Sequence, residues 1–295
     1  MIMAKPADCM TLAFSPRARI QFVLVDVTDA TRALESSHLN GPTASLVLAE
    51  ALAGVALLGA DLTRPQETVT LRMRVSGPVQ GVLVEMAQDG GLRGYTNRKV
   101  INELDGREEL ESDVAFGDHA DVQIIRSIPG NILAHASLET HPASVRTAVQ
   151  QFFEQSLQRR VAVQVIAVAY GGRLEIARGL MALGMPDSDP ADLERLFALF
   201  EDDTIPQEME GCGTLAELGE ILGFPDLQLE PARVLRFACR CSQARVEGML
   251  EGLGAEELSA MLQKPASIYC HMCGKGYEVP VATLAGYLEK KRQTG

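Results

Sequence analysis

Residues 68–96 read TVTLRMRVSGPVQGVLVEMAQDGGLRGYT. Thr68 to Val75 alternates apolar with polar side chains, the period of a strand with one buried face. Ser76-Gly77-Pro78 marks a turn, and Gly81 to Met86 resumes the strand. Asp89-Gly90-Gly91 has the chemistry of a hairpin turn, and Leu92 to Thr96 follows it. The stretch is an antiparallel meander, and it sets the expectation of an α+β fold.

Working outward, Ile20 to Val27 is apolar and β-branched, a strand signal. Pro42 to Leu62 is a long apolar run of good helix formers with no interior proline, and it predicts a buried helix. Val122 to Ile125 and Asn131 to Leu138 read as strands around the Pro129-Gly130 turn. Pro142 to Arg160 predicts a helix with proline in its first turn and apolar residues at Val145, Val149, Phe152, Phe153 and Leu157. Val161 to Tyr170 reads as a strand closed by Gly171-Gly172, whereas Gly172 to Gly184 suits strand or helix equally.

The composition is that of a soluble globular protein: 295 residues, 46% hydrophobic, 22% charged and no Trp. Met1 to Phe14 carries Lys5, Pro6 and Asp8 and has no secretory signal pattern. Ala44 to Ala60, the longest apolar run, is interrupted by Glu50 and is too short to span a bilayer. A cytoplasmic location without membrane association is therefore expected. There, clustered cysteines mean metal or redox chemistry rather than structural disulfides.

The net charge of −12 is concentrated in one place. Between Asp187 and Pro231 thirteen acids are opposed by Arg195 alone, a net −12, while the remaining 26 acids meet 26 bases. Such a chain is not expected to bind nucleic acid, where phosphate neutralisation supplies most of the affinity. Two short amphipathic helices are expected at Asp189 to Phe200 and Thr214 to Leu222, with a loop from Glu201 to Gly213 between them. This segment has too few apolar residues for a core of its own and must lean on a neighbour. Repulsion among its acids opposes that docking.

Cys239-Arg240-Cys241 is followed, 28 residues on, by Cys270-His271-Met272-Cys273. Two tight pairs in one small module offer four thiolates to a tetrahedral zinc ion, a closed structural type of site. Gly274 and Gly276 let backbone amides bend towards the sulfurs. Some 60 residues support a hydrophobic core poorly, so a metal staple is expected in this module. Cys9 and Cys212 stand outside the pattern and read as small core residues, and His271 as a surface residue. His38, His119, His135 and His141 form no spaced pair that suggests a site. No paired-carboxylate or serine–histidine–acid arrangement is identifiable, no phosphate-binding G-x-x-x-x-G-K-[ST] loop occurs, and no catalytic residue is assigned.

Residues 234–279, from Val234 through Phe237-Ala238-Cys239-Arg240-Cys241-Ser242, Gly254 to Leu258 and Cys270 to Tyr277, resemble the 33 kDa heat-shock chaperone family, redox-regulated holdases of the bacterial cytosol. Ala51 to Gly59, Gly77-Pro78, Arg93-Gly94-Tyr95 with Asn97, and Phe153-Glu154-Gln155-Ser156 extend the resemblance over nearly the whole chain. The chain departs from the family pattern at Arg98 and at Leu157-Gln158. The resemblance implies three parts: a mixed α/β core with antiparallel strands (10–185) for client binding and dimerisation, a helical, acidic, metastable linker (186–232), and a small zinc-binding redox-switch domain (233–290). It further implies one zinc held by Cys239, Cys241, Cys270 and Cys273 in an inactive reduced state. Oxidation would form Cys239–Cys241 and Cys270–Cys273 disulfides, release zinc and unfold the linker. The exposed surface would bind unfolding or oxidatively damaged proteins without ATP, as a homodimer, in the stress response. Two other functions compete on residues alone: a thiol–disulfide oxidoreductase using Cys270 and Cys273, and a nucleic-acid-binding zinc ribbon using tail bases such as Lys264, Lys275, Lys290, Lys291 and Arg292.

Overall fold

The computed structural model describes residues 8–107, 110–202 and 204–294. Lys5 and Pro6 of the N-terminal stretch, and Asp203 of the acidic segment, lie outside the described residues. The chain divides into two compact units, Met1–Ala238 and Cys239–Gly295.

In chain order the first unit begins with β1 (Cys9–Ser15), β2 (Ile20–Asp26), α1 (Thr28–His38) and α2 (Pro42–Leu58). The meander follows as β3 (Thr68–Val75), β4 (Val82–Ala87) and β5 (Gly91–Thr96). Two single-turn helices, α3 (Asn102–Asp105) and α4 (Ser112–Phe116), precede β6 (Ala120–Ile128) and β7 (Asn131–Thr140). Next come α5 (Val145–Gln151), β8 (Val161–Tyr170) and β9 (Arg173–Gly184). The acidic segment supplies α6 (Pro190–Phe200), α7 (Thr204–Gly211), α8 (Leu215–Ile221) and β10 (Gln228–Leu229). β11 (Arg233–Val234) and β12 (Arg236–Phe237) complete the unit.

Two mixed-length sheets enclose α2. One runs β10-β1-β2-β9-β8, with β11 on the same edge of β1 as β10; the other runs β12-β5-β4-β3-β6-β7. All pairings are antiparallel except β12 with β5. In α2 every residue but Pro42 and Glu50 is buried, as an all-round apolar helix requires. Its faces meet Val23, Val25 and Met181 from one sheet and Val69, Leu71 and Val84 from the other in a single core. A methyl group on Gly54 would overlap Val145, so the close approach of α5 to α2 demands glycine there. The α2 N-terminus is served by Asp105, whose carboxylate accepts from the Thr43 amide at 3.0 Å. The helix stops at Leu58 rather than Leu62 because Gly59 begins a turn that returns its amide to Val55 and Ala56.

The opposite face of the first sheet is also covered. Leu193, Leu196, Phe200, Ile205, Met209, Leu215, Leu218, Leu222 and Phe224 of the acidic segment bury against Ile20, Phe22, Leu24, Ala162, Ile166, Leu180 and Ala182. Phe22 and Phe224 meet with ring centroids 5.1 Å apart. Burial on both faces explains the ambiguity of residues 172–184. Their apolar run carries no alternation because β9 lies between β2 and β8 with both surfaces packed.

Two expectations need correction. The helix expected from Pro142 starts at Val145, capped by Ser144, whose Oγ accepts from the Thr147 amide at 3.3 Å. Pro142 follows a cis peptide and lies outside it. The helix also ends early, in a π-turn over Phe152–Ser156 that buries both Phe152 and Phe153. The expected loop between Glu201 and Gly213 contains α7. Pro206 sits in its first turn, where no intrahelical amide donor is needed, and Ile205 and Met209 one turn apart are both buried.

The second unit comprises α9 (Gln243–Glu251), α10 (Ala255–Ala260), the hairpin β13 (Ala266–Tyr269) with β14 (Gly276–Val279), and α11 (Val281–Thr294). Its buried cluster is Val246, Leu250, Leu258, Ala266, Tyr277, Val279, Leu284 and Leu288, a small core even for so short a unit.

Candidate metal centre

The four paired cysteines converge at one end of the second unit. Cys239 and Cys241 lie in the extended strip just before α9, whose start is fixed by Ser242 accepting from the Arg245 amide at 3.3 Å. Cys270 leaves β13 and begins a knuckle in which the amides of Cys273 and Gly274 donate to its carbonyl at 3.3 and 2.8 Å. Gly274 has φ of 71°, the left-handed conformation that turns the chain back into β14. The Cys270 amide donates to Lys275 O at 2.9 Å and closes the loop.

Cys239 Sγ lies 3.8 Å from Cys270 Sγ, and Cys241 Sγ lies 3.4 Å from Cys273 Sγ. All four sulfurs lie within 4.8 Å of one another. Four sulfurs held at about 2.3 Å around one tetrahedral ion stand about 3.8 Å apart, so the cluster has the dimensions of a four-thiolate site. No disulfide joins any of the six cysteines; Cys273 is buried and the others are partly so. His271 is exposed and is not one of the four donors.

The electrostatics of the cluster favour protonated sulfur unless a cation is supplied. Burial, and then hydrogen bonding among the sulfurs, push the Cys273 thiol well above the usual range; burial also raises Cys270. Crowding that opposes several thiolates is what a divalent ion offsets. The Tyr277 hydroxyl donates to Cys241 Sγ at 3.0 Å, and this bond foremost raises the Tyr277 pKa. Tyr277 was not among the expected site residues. Its place on β14, four residues past Cys273, was the available signal.

The other cysteines belong to the first unit. Cys9 lies on β1, and Cys212 follows α7 with its sulfur 3.8 Å from Glu208 Oε2; burial raises both thiols. The spacing of the histidines in the sequence suggests no site, but the fold brings two of them together. His119 Nδ1 and His141 Nε2 lie 3.2 Å apart, because the pairing of β6 with β7 brings together residues 22 apart in sequence.

The family model for the Hsp33 protein matches residues 8–280. The chain belongs to the Hsp33 family. Relatives described as 33 kDa chaperonins match over most of its length. The 33 kDa chaperonin of Gloeobacter violaceus is 27% identical over 297 residues, covering 97% of each chain. That of Microcystis aeruginosa is 29% identical over 287 residues, covering 92% of this chain and 93% of the relative. The crystal structure of the 33 kDa chaperonin from Thermotoga maritima superposes with a TM-score of 0.88 at 18% identity, over 98% of this chain and 100% of that one. The Hsp33 fold is thus present throughout. No described helix is long and apolar enough to cross a membrane.

Proposed function

We propose that this Hsp33-family chain is an ATP-independent holdase, a binding protein rather than an enzyme, switched on by oxidation of its four clustered thiols. The observation that carries the reading is the four-sulfur cluster inside a unit whose own core is small. Cys239, Cys241, Cys270 and Cys273 would hold one zinc, which when bound keeps the sulfurs as thiolates and cross-links the unit. In zinc peptides that cross-link contributes on the order of 10–16 kcal/mol of folding free energy.

Two molecules of hydrogen peroxide, one per pair, would each take two electrons, forming the Cys239–Cys241 and Cys270–Cys273 disulfides while each peroxide takes up two protons and is reduced to two waters. The cross-link is then lost and the domain at 233–290 unfolds. The first strands of that range, β11 and β12, form the tether to the linker at 186–232. Loosening it would let α6 to α8 leave the sheet of the 10–185 core. Ile20, Phe22, Ile166 and Leu180 would then face solvent and capture apolar segments of unfolding proteins. A homodimer in the oxidised state and a cytoplasmic, reducing home compartment complete the reading.

The test is zinc content and thiol titre before and after hydrogen peroxide with mild heat, run beside a client-aggregation assay. Loss of one zinc and four thiols, followed by suppression of aggregation, is expected. An oxidised, zinc-free protein that suppresses no aggregation would end the proposal.

A further inference from the structure

The outer face of the β6–β7 hairpin carries a second group of metal-binding side chains with different chemistry. The register pairs Asp121 with Glu139, so one step outward on the same face His119 stands opposite His141. The imidazoles stack with centroids 4.6 Å apart, and Nδ1 of His119 lies 3.2 Å from Nε2 of His141. Two nitrogens bound to one ion at about 2.0–2.1 Å, at roughly 90–110°, stand about 2.9–3.4 Å apart. The observed separation falls in that interval. A carboxylate oxygen of Glu139 lies 4.0 Å from His141 Nε2, and one donor atom from each of His119, Glu139 and His141 lies within 4.8 Å of the others.

Neighbouring groups position these residues, and Arg74, the β3 partner of Asp121, is a base beside them that a cation must tolerate. Asp121 Oδ1 is 3.4 Å from His119 Nε2, on the far side of the ring from Nδ1. A carboxylate on that side would favour the proton on Nε2 and leave Nδ1 as the ligand, the arrangement of a carboxylate–histidine–metal relay. The His119 backbone is fixed on both sides by Ser76: its amide donates to Ser76 Oγ at 3.1 Å, and its carbonyl accepts from the Ser76 amide at 2.9 Å.

We propose that His119, His141 and Glu139 form a second metal site, for a borderline divalent ion such as Zn²⁺ or Ni²⁺, with Asp121 as a positioning residue and one position left for water. Two imidazoles with one carboxylate suit these ions and not Mg²⁺ or Ca²⁺. The site contains no sulfur, so its failure would leave the reading of the cysteine cluster untouched, and oxidant would not empty it.

The test is equilibrium dialysis of the reduced full chain, already carrying its thiol-bound metal, against increasing free Zn²⁺, with metal per chain measured. One further equivalent should bind at micromolar free zinc. His119→Ala and His141→Ala should each weaken it at least tenfold, and Asp121→Asn severalfold, with the circular dichroism unchanged. No further equivalent up to about 100 μM free zinc, or one retained by the double histidine variant, would overturn the proposal.

Discussion

Glu50 interrupts the most apolar helix of the chain. Glu50 is half-buried as a residue, but its carboxylate, which accepts from the Ser112 hydroxyl, is desolvated, and this pushes its pKa up to about 7. A carboxyl group raised in the folded state binds its proton more tightly there than in the unfolded chain. Its contribution is therefore full below about pH 4.5 and is lost as pH rises through 7. Glu50→Gln should raise the melting temperature of the first unit at pH 8, and the gain should vanish by pH 4; an equal gain at both would disprove the assignment. Tyr277 makes the comparable point in the second unit. Tyr277→Phe keeps the buried ring but removes the donor to Cys241, and outer-sphere losses of this kind cost about 10–100-fold in metal affinity. Competition with a chromophoric chelator would read that loss directly, and unchanged affinity would assign Tyr277 to packing alone.

At the scale of elements, the acidic segment docks through apolar contacts and through arginines of the core. Arg178 donates to the carbonyls of Met209 and Cys212 at 2.7 and 2.8 Å, and Arg146 pairs with Glu201 at 2.6 Å. Arg160 stands over the Phe197 ring at 5.0 Å. These bases offset part of the segment's negative charge, and Arg17 and Arg19 add hydrogen bonds to Asp226 and to the Pro186 carbonyl. Phe224 is fully buried against Phe22, and removing it costs about 3–5 kcal/mol by the usual large-to-small measure. Phe224→Ala should therefore expose residues 186–232 to limited proteolysis in the reduced protein and raise binding of an apolar dye. Protection equal to wild type would show that this layer is held by something else.

Over the whole molecule, the two units rest on different physics. The first buries a large continuous core around α2, while the second has a small cluster beside four thiols. A strong chelator applied under reducing conditions should abolish amide protection in 239–294 and leave the β3–β4–β6 ladder protected. Hydrogen exchange resolved by peptide checks this, and unchanged protection in the second unit would mean that its apolar cluster suffices.

How much of this was legible depended on whether the information was local. The meander at 68–96 could be read because alternation and turn chemistry are properties of adjacent residues, and its three strands lie where those signals put them. The four thiols were legible because both halves of the cluster are tight pairs. What lay outside the sequence was decided by contacts between distant residues. Residues 173–184 became a strand only because β2 and β8 flank them, since periodicity cannot separate a strand buried on both faces from a buried helix. α7 formed because Ile205 and Met209 found an apolar sheet to cover. His119 and His141 became neighbours only through the β6–β7 register, which a chain met one residue at a time does not display. Local chemistry set the strands, the turns and the paired thiols; long-range packing chose what covered each face and which side chains met across it.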